Sequence, residues 1–132
     1  MAQLSPYVKF NGNCRQALEF YKSVVGGQLS LQTIGESPAA AHFPPAMKDK
    51  ILHGSLAKDD LTIFGSDVGG PESTQGNNVF LCLVCKSKEE IETLFSKLSQ
   101  GAKIKTPLKH EFFGIYGDLV DKFGINWMFQ SA

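Results

Sequence analysis

Two segments of the chain carry the same helix signature, and adding 74 to the positions of one gives the other. The first opens at Asn13, a good N-cap type, with Gln16 three positions on in capping-box position. Cys14, Ala17, Leu18, Tyr21, Val24 and Val25 follow at helical spacing, and Gly26-Gly27 supplies the stop that a positive-φ C-cap needs. The second opens at Ser87 with Glu90 completing its box. Ile91, Leu94, Phe95 and Leu98 make its apolar stripe, and Gly101 ends it. Cap, box, stripe and stop all coincide, at a spacing longer than common short repeats. The chain is therefore read as a duplication of a larger unit.

The flanks of both helices repeat as well. A strand pattern precedes each helix, at Tyr7–Phe10 and Val79–Cys85, and another follows, at Leu29–Ile34 and Lys103–Pro107. Each half then closes with a hairpin. Ile51–Ala57 turns at Lys58-Asp59 into Leu61–Gly65, and Phe113–Val120 turns around Lys122-Phe123-Gly124 into Ile125–Gln130. The hairpins align at an offset of 64, which sets Leu61 on Ile125 and Phe64 on Met128. The shortened offset places an insertion in the first half, within the Pro/Ala-rich stretch Glu36–Lys50. A loop of that length is a candidate lid or binding loop. The Gly/Pro segment Val68–Asn77 links the halves. The expected class is α+β: two tandem βαβββ modules, residues 1–68 and 76–132, together one domain over 1–132.

Charge and composition exclude several functions. Lys+Arg and Asp+Glu both number 13, so no basic excess speaks for nucleic acid. At 42% hydrophobic and 11% aromatic, the chain has enough apolar material to fold. No apolar run is long enough to span a membrane, and the opening Met1–Pro6 lacks a signal-peptide pattern. Three cysteines argue against a disulfide framework and suit a reducing cytoplasm. The expectation is a cytoplasmic protein with no nucleic-acid or membrane partner.

The tandem arrangement, with YVKFNGNCRQALEFYKSVVGG, LTIFGSD and FFGIYGDLVDKFGINWMF, resembles the vicinal oxygen chelate superfamily of glyoxalases, bleomycin-resistance proteins and extradiol dioxygenases, and within it the PhnB-like branch. The resemblance covers nearly the whole chain. It implies that each half curls a sheet into half of a cup, that the two half-barrels enclose a small-molecule site, and that the protein is a homodimer. Some members of the branch bear a methyltransferase name. No glycine-rich strand–turn–helix for a methyl-donor nucleotide stands in this sequence.

Metal-dependent members of the superfamily hold a divalent ion with His and Glu from the first and last strand of each half. The matching positions are Pro6 or Tyr7, Phe64, Phe80 and Met128. None offers a His or carboxylate, so no metal or other cofactor is expected at the usual site. A displaced site is the rival. His53 on the third strand, with Glu111 or Asp67, could hold a metal or act as a base with its orienting carboxylate. His53 and Glu111 are thus the candidate catalytic residues. The plainer alternative is a hydrogen-bonded sheet histidine and a solvated His110-Glu111 turn. His42 sits in the candidate lid.

Cys82-Leu83-Val84-Cys85 spells C-x-x-C, but strand residues three apart face opposite sides, so core packing is the expected role. Cys14 stands in the first turn of a helix, where a thiol pKa can be lowered. A buried stripe position is its plainer reading. Aromatic residues are the positive signal. Tyr7, Phe64, Asp67, Phe80, Phe113, Tyr116 and Met128 are the expected ligand-binding set, while alternation sends Ile63 and Trp127 to the helix side. The expected partner is a small apolar or aromatic molecule. The leading reading is a small-molecule-binding protein without the usual metal ligands. The alternatives are an enzyme, metal-dependent or acid–base, and a structural role.

Overall fold

The first apolar stripe folds as α1 (Cys14–Val25), which buries Cys14, Ala17, Leu18, Tyr21 and Val24 on one side. The second folds as α2 (Lys88–Leu98), which buries Ile91, Phe95 and Leu98. In the computed structural model, which describes residues 2–131, the chain divides into two compact units, Met1–Thr74 and Gln75–Ala132.

Each unit lays its helix on a four-stranded mixed sheet. The first contains β1 (Tyr7–Lys9), β2 (Gln28–Thr33), β3 (Ile51–Lys58) and β4 (Leu61–Ser66) in the order β1-β4-β3-β2. The second contains β5 (Leu81–Cys85), β6 (Lys103–Glu111), β7 (Gly114–Val120) and β8 (Asn126–Ser131) in the order β5-β8-β7-β6. β1 runs parallel to β4 and β5 parallel to β8, and the remaining pairs are antiparallel. The duplication expected from the sequence is thus a repeat of one topology, α+β throughout.

Strand alternation sorts the side chains as expected. Ile63 and Leu56 in the first unit, and Trp127, Phe129 and Leu119 in the second, are buried on the helix side. The ring of Phe95 on α2 meets Phe129 edge-on at 5.0 Å. In the first unit α1 comes close to the sheet at Gly54: a Cβ there would lie 2.7 Å from Leu18 Cδ1 and 3.0 Å from Leu31 Cδ2, so those side chains would have to shift. α1 ends at the positive-φ Gly26 (φ 80), whereas α2 is capped by Ser99 and the turn beyond it passes through Gly101 (φ 70).

Four details differ from the sequence expectation. Asn13 makes no side-chain cap; the Asp67 carboxylate, just beyond β4, accepts the Cys14 N–H instead. Ser87 does cap α2, accepting the Glu90 N–H at 3.0 Å, while Glu90 reaches back to the Lys86 N–H. The strand before α2 begins at Leu81 rather than Val79, which leaves Phe80 outside it. The strand after α2 runs on to Glu111, so His110-Glu111 end β6 rather than enter the next strand, and Phe112-Phe113 form the turn. The Glu36–Lys50 insertion holds two short 3-10 turns, Pro38–His42 and Pro45–Met47. The first is capped by the Ser37 hydroxyl, which accepts the Ala39 N–H.

Candidate functional site

The face of each sheet turned away from its helix carries the chemistry. In the first unit β1 and β4 pair Tyr7 with Phe64, and β3 brings Ser55 opposite Phe64. His53 lies two residues from Ser55, on the same face. Three rings therefore meet: Phe64 is 5.4 Å from His53 and 6.0 Å from Tyr7, and Tyr7 is 5.8 Å from His53. The rings are tilted by 31° to 38° rather than stacked flat. The Tyr7 hydroxyl lies 3.3 Å from His53 Nδ1, which fixes the imidazole by one nitrogen and leaves Nε2 without a partner among the described residues. Gln32 on β2 pairs with His53 and extends this face with a carboxamide.

Asp67 has a different role from the one expected. It is buried, at 3% exposure. Its Oδ1 accepts the N–H groups of Gly12 and Cys14, both at 3.0 Å, and its Oδ2 accepts that of Ile51 at 2.8 Å. These three amides tie the start of α1 to the start of β3. The hydrogen bonds it makes among the described residues all come from the backbone, a structural task that the sequence reading did not assign to it. The Cys14 thiol beside it is pushed up to about 12, first by burial and then by the Asp67 charge. The lowered pKa that a helix N-terminus can give does not arise here.

In the second unit the equivalent pairing is Cys82 with Met128, because β5 and β8 register those two. Cys82, and not Phe80, therefore stands where Tyr7 stands in the first unit. Asp118 faces Met128 from β7. Its Oδ2 accepts the Tyr116 hydroxyl at 2.7 Å, while its buried Oδ1 has no partner among the described residues. The hydrogen bond to Asp118 raises the Tyr116 pKa, with burial adding to it. Phe113 is half exposed at the β6–β7 turn, with its ring 6.2 Å from Tyr116. Glu111 ends β6 with its carboxylate 3.9 Å from Lys109 Nζ, an exposed and weak pair. The histidine and the glutamate named together from sequence thus find different partners, Tyr7 and Lys109. Phe80 lines a cleft of about 450 Å³ with Lys105, Val120 and Asn126.

The superfamily's divalent ion finds a poor donor set in these positions. Tyr7 with Phe64 and Cys82 with Met128 provide no imidazole and no carboxylate, only a phenol, a thiol and a thioether. Among the described residues no three His, Cys, Asp or Glu side chains gather as a metal site. The C-x-x-C cysteines are free and split between faces, Cys82 exposed and Cys85 buried.

Sequence reasoning missed Asp118, Lys105 and Cys82 as residues of the open face. A lone carboxylate in the apolar run Gly114–Val120 was a usable signal for the first. The parity of Met128 was one for Cys82. Lys105 had none, because it sits at a bulge.

Residues 2–130 match the family model of the 3-demethylubiquinone-9 3-methyltransferases. Protein PA1353 from Pseudomonas aeruginosa is 33% identical, with a TM-score of 0.86 over 99% of this chain and 98% of that one. The PhnB protein from Bacillus cereus is 25% identical, with a TM-score of 0.75 over 99% of this chain and all of the other. A glyoxalase/bleomycin resistance protein/dioxygenase family enzyme from Burkholderia phytofirmans PsJN is 17% identical, with a TM-score of 0.67 over 98% of each chain. That last likeness is one of fold.

Proposed function

The chain belongs to the 3-demethylubiquinone-9 3-methyltransferase family, in the PhnB-like branch of the glyoxalase/bleomycin-resistance fold, and on that premise we propose that it binds a small apolar or aromatic molecule. The observation that carries this reading is the Tyr7–His53–Phe64 cluster. Tyr7 is 49% exposed and His53 is exposed, so the rings offer their surfaces to a ligand rather than to a core. Tilted rings of this kind form an apolar wall, and the imidazole adds a single polar handle. The family's name denotes methyl transfer. The strand-to-helix junctions here are Phe10–Asn13 and Lys86–Ser87, neither of them glycine-rich, and we do not carry that activity to this chain.

A second reading rests on the 3.3 Å approach of the Tyr7 hydroxyl to His53 Nδ1. In the tautomer whose Nδ1–H donates to the Tyr7 hydroxyl oxygen, the neutral imidazole presents Nε2 as a general base, so acid–base catalysis through His53 is the enzyme alternative. Cytoplasmic location and a homodimer complete the proposal. Free cysteines support the first and the superfamily resemblance the second. No helix among the described residues is long and apolar enough to cross a membrane.

Indole, a neutral aromatic, tests the binding reading by NMR. It should shift the ring signals of Tyr7, His53 and Phe64, and Phe64→Ala should abolish those shifts. Indole that leaves all three rings untouched at millimolar concentration refutes the reading. His53→Gln should remove any turnover, and turnover that survives it refutes the acid–base reading.

A further inference from the structure

The second unit holds a cleft whose chemistry differs from that of the aromatic cluster. Its volume is about 450 Å³, within the range of small-molecule sites. The wall combines the Phe80 ring and Val120 with the carboxamides of Gln75, Asn77 and Asn126, and one cation, Lys105. Among the described residues no carboxylate lines it.

Lys105 is directed there by a break in the ladder. β6 pairs Lys103 with Val120 and Ile104 with Leu119, then skips to Thr106 with Asp118. Lys105 is the extra residue of that bulge, and a bulge re-aims the side chain it frees. Ile104 keeps the helix-side parity of Leu119, whereas Lys105 lines the cleft beside Val120. Lys105 makes no ion pair among the described residues, and Lys103 pairs with Val120 on the same face. Asp118, opposite Thr106 on β7, takes the Tyr116 hydroxyl on Oδ2 and forms no ion pair with Lys105 among the described residues.

The rest of the wall is held in place. Asn126 Nδ2 donates to the carbonyls of Gly76 and Val79, at 2.8 Å and 3.0 Å, and so pins the 75–80 segment to β8. Gln75 lies over Gly124, whose φ of 85 and missing Cβ make the room: a Cβ there would run into the Gln75 carboxamide.

The Phe80 ring and Val120, the carboxamides of Gln75 and Asn77, and the Lys105 ammonium, which makes no ion pair among the described residues, match one chemical class. We propose that this cleft binds a small planar carboxylate, with the anionic head on Lys105 and the flat body against Phe80 and Val120. This site shares no residue with the Tyr7–His53–Phe64 cluster, and each stands or falls alone.

Benzoate is the probe, with acetate and benzyl alcohol as the anion-only and ring-only controls, followed by amide NMR of the full chain. Benzoate should shift the amides of 75–80 and 104–106, and both controls should bind at least ~10-fold more weakly, since head and ring each contribute about 1.4 kcal/mol or more. Lys105→Gln should weaken benzoate by ~10-fold or more and leave indole binding at the first unit unchanged. Phe80→Leu, which keeps bulk but removes the ring, should weaken benzoate while leaving its charge dependence intact. Acetate binding as tightly as benzoate would reduce the cleft to a simple anion site and overturn the proposal. So would benzoate shifts confined to other residues, or an affinity unchanged in Lys105→Gln.

Discussion

The Asp67 carboxylate predicts a large loss of stability on substitution, and its size follows from the three amides it holds. Asp67→Ala leaves the buried N–H groups of Cys14 and Ile51 and the part-buried one of Gly12 with no acceptor in place. Each orphaned buried donor costs ~1–3 kcal/mol, and relief of the carboxylate's own desolvation offsets part of the sum, so a net loss of about 4–6 kcal/mol is expected. Asp67→Asn is milder. Its carbonyl oxygen can keep Gly12 and Cys14, but its NH2 then faces the Ile51 N–H, donor against donor. A loss of ~2–4 kcal/mol is expected. Urea unfolding followed by circular dichroism measures both, and the m-value checks that the transition stays cooperative. The order Ala worse than Asn, with both well above the noise, is the required result. If Asp67→Ala costs under ~1 kcal/mol, the carboxylate is not the joint between α1 and β3 that its geometry describes. A ligand role for Asp67 would predict the opposite pattern, with stability intact and binding lost.

Two further tests read the titratable groups. Burial pushes Cys14 to about 12 and Cys85 to about 11, while Cys82, also raised, is the exposed thiol. Ellman's reagent at pH 8 should therefore modify one thiol in the folded protein, slowly, and all three only in denaturant; rapid labelling of Cys14 would contradict its burial. Tyr116→Phe removes the hydroxyl that Asp118 accepts and leaves that buried carboxylate wholly unpartnered, for an expected loss of about 1–2 kcal/mol at pH 7. Because the folded-state Tyr116 pKa lies above its ordinary 10.0, the bond's contribution is complete below pH 10 and fades as pH rises through the folded value. The gap between wild type and variant should narrow above pH 10. A gap constant from pH 7 to 11 would show that the hydrogen bond is absent.

Features encoded locally were legible in the sequence. The helices could be read because a stripe such as Ile91, Phe95 and Leu98 lies within a few turns of one segment. Alternation placed Trp127 and Ile63 on the helix side for the same reason. What escaped depended on distant partners. Asn13 had the composition of a cap, but Asp67 outcompeted it by reaching both the Gly12 and Cys14 amides. Phe80 looked equivalent to the first strand's Pro6 because the helices repeat at a fixed offset. The parallel ladder, which decides register, instead set Cys82 against Met128. His53 was found as a candidate, whereas its partner Tyr7 was expected to be a ligand contact rather than its anchor. Lys105 shows the limit most clearly, since a one-residue bulge changes where a side chain points without changing any pattern in the sequence.

The parallel closure of both sheets has a consequence for biosynthesis. Tyr7 emerges from the ribosome early, but its ladder partner Phe64 follows only after the helix, the inserted loop and β3. Cys82 likewise waits for Met128. Each half is completed by its last strand, which slots between the first strand and β3 or β7 and joins elements made far apart in time. Long-range pairing of this kind is slow to form, and until it does the edges of β1 and β3 stay open to other chains. The short β1, only Tyr7–Lys9, and its position just after Pro6 limit what such an edge can recruit while it waits.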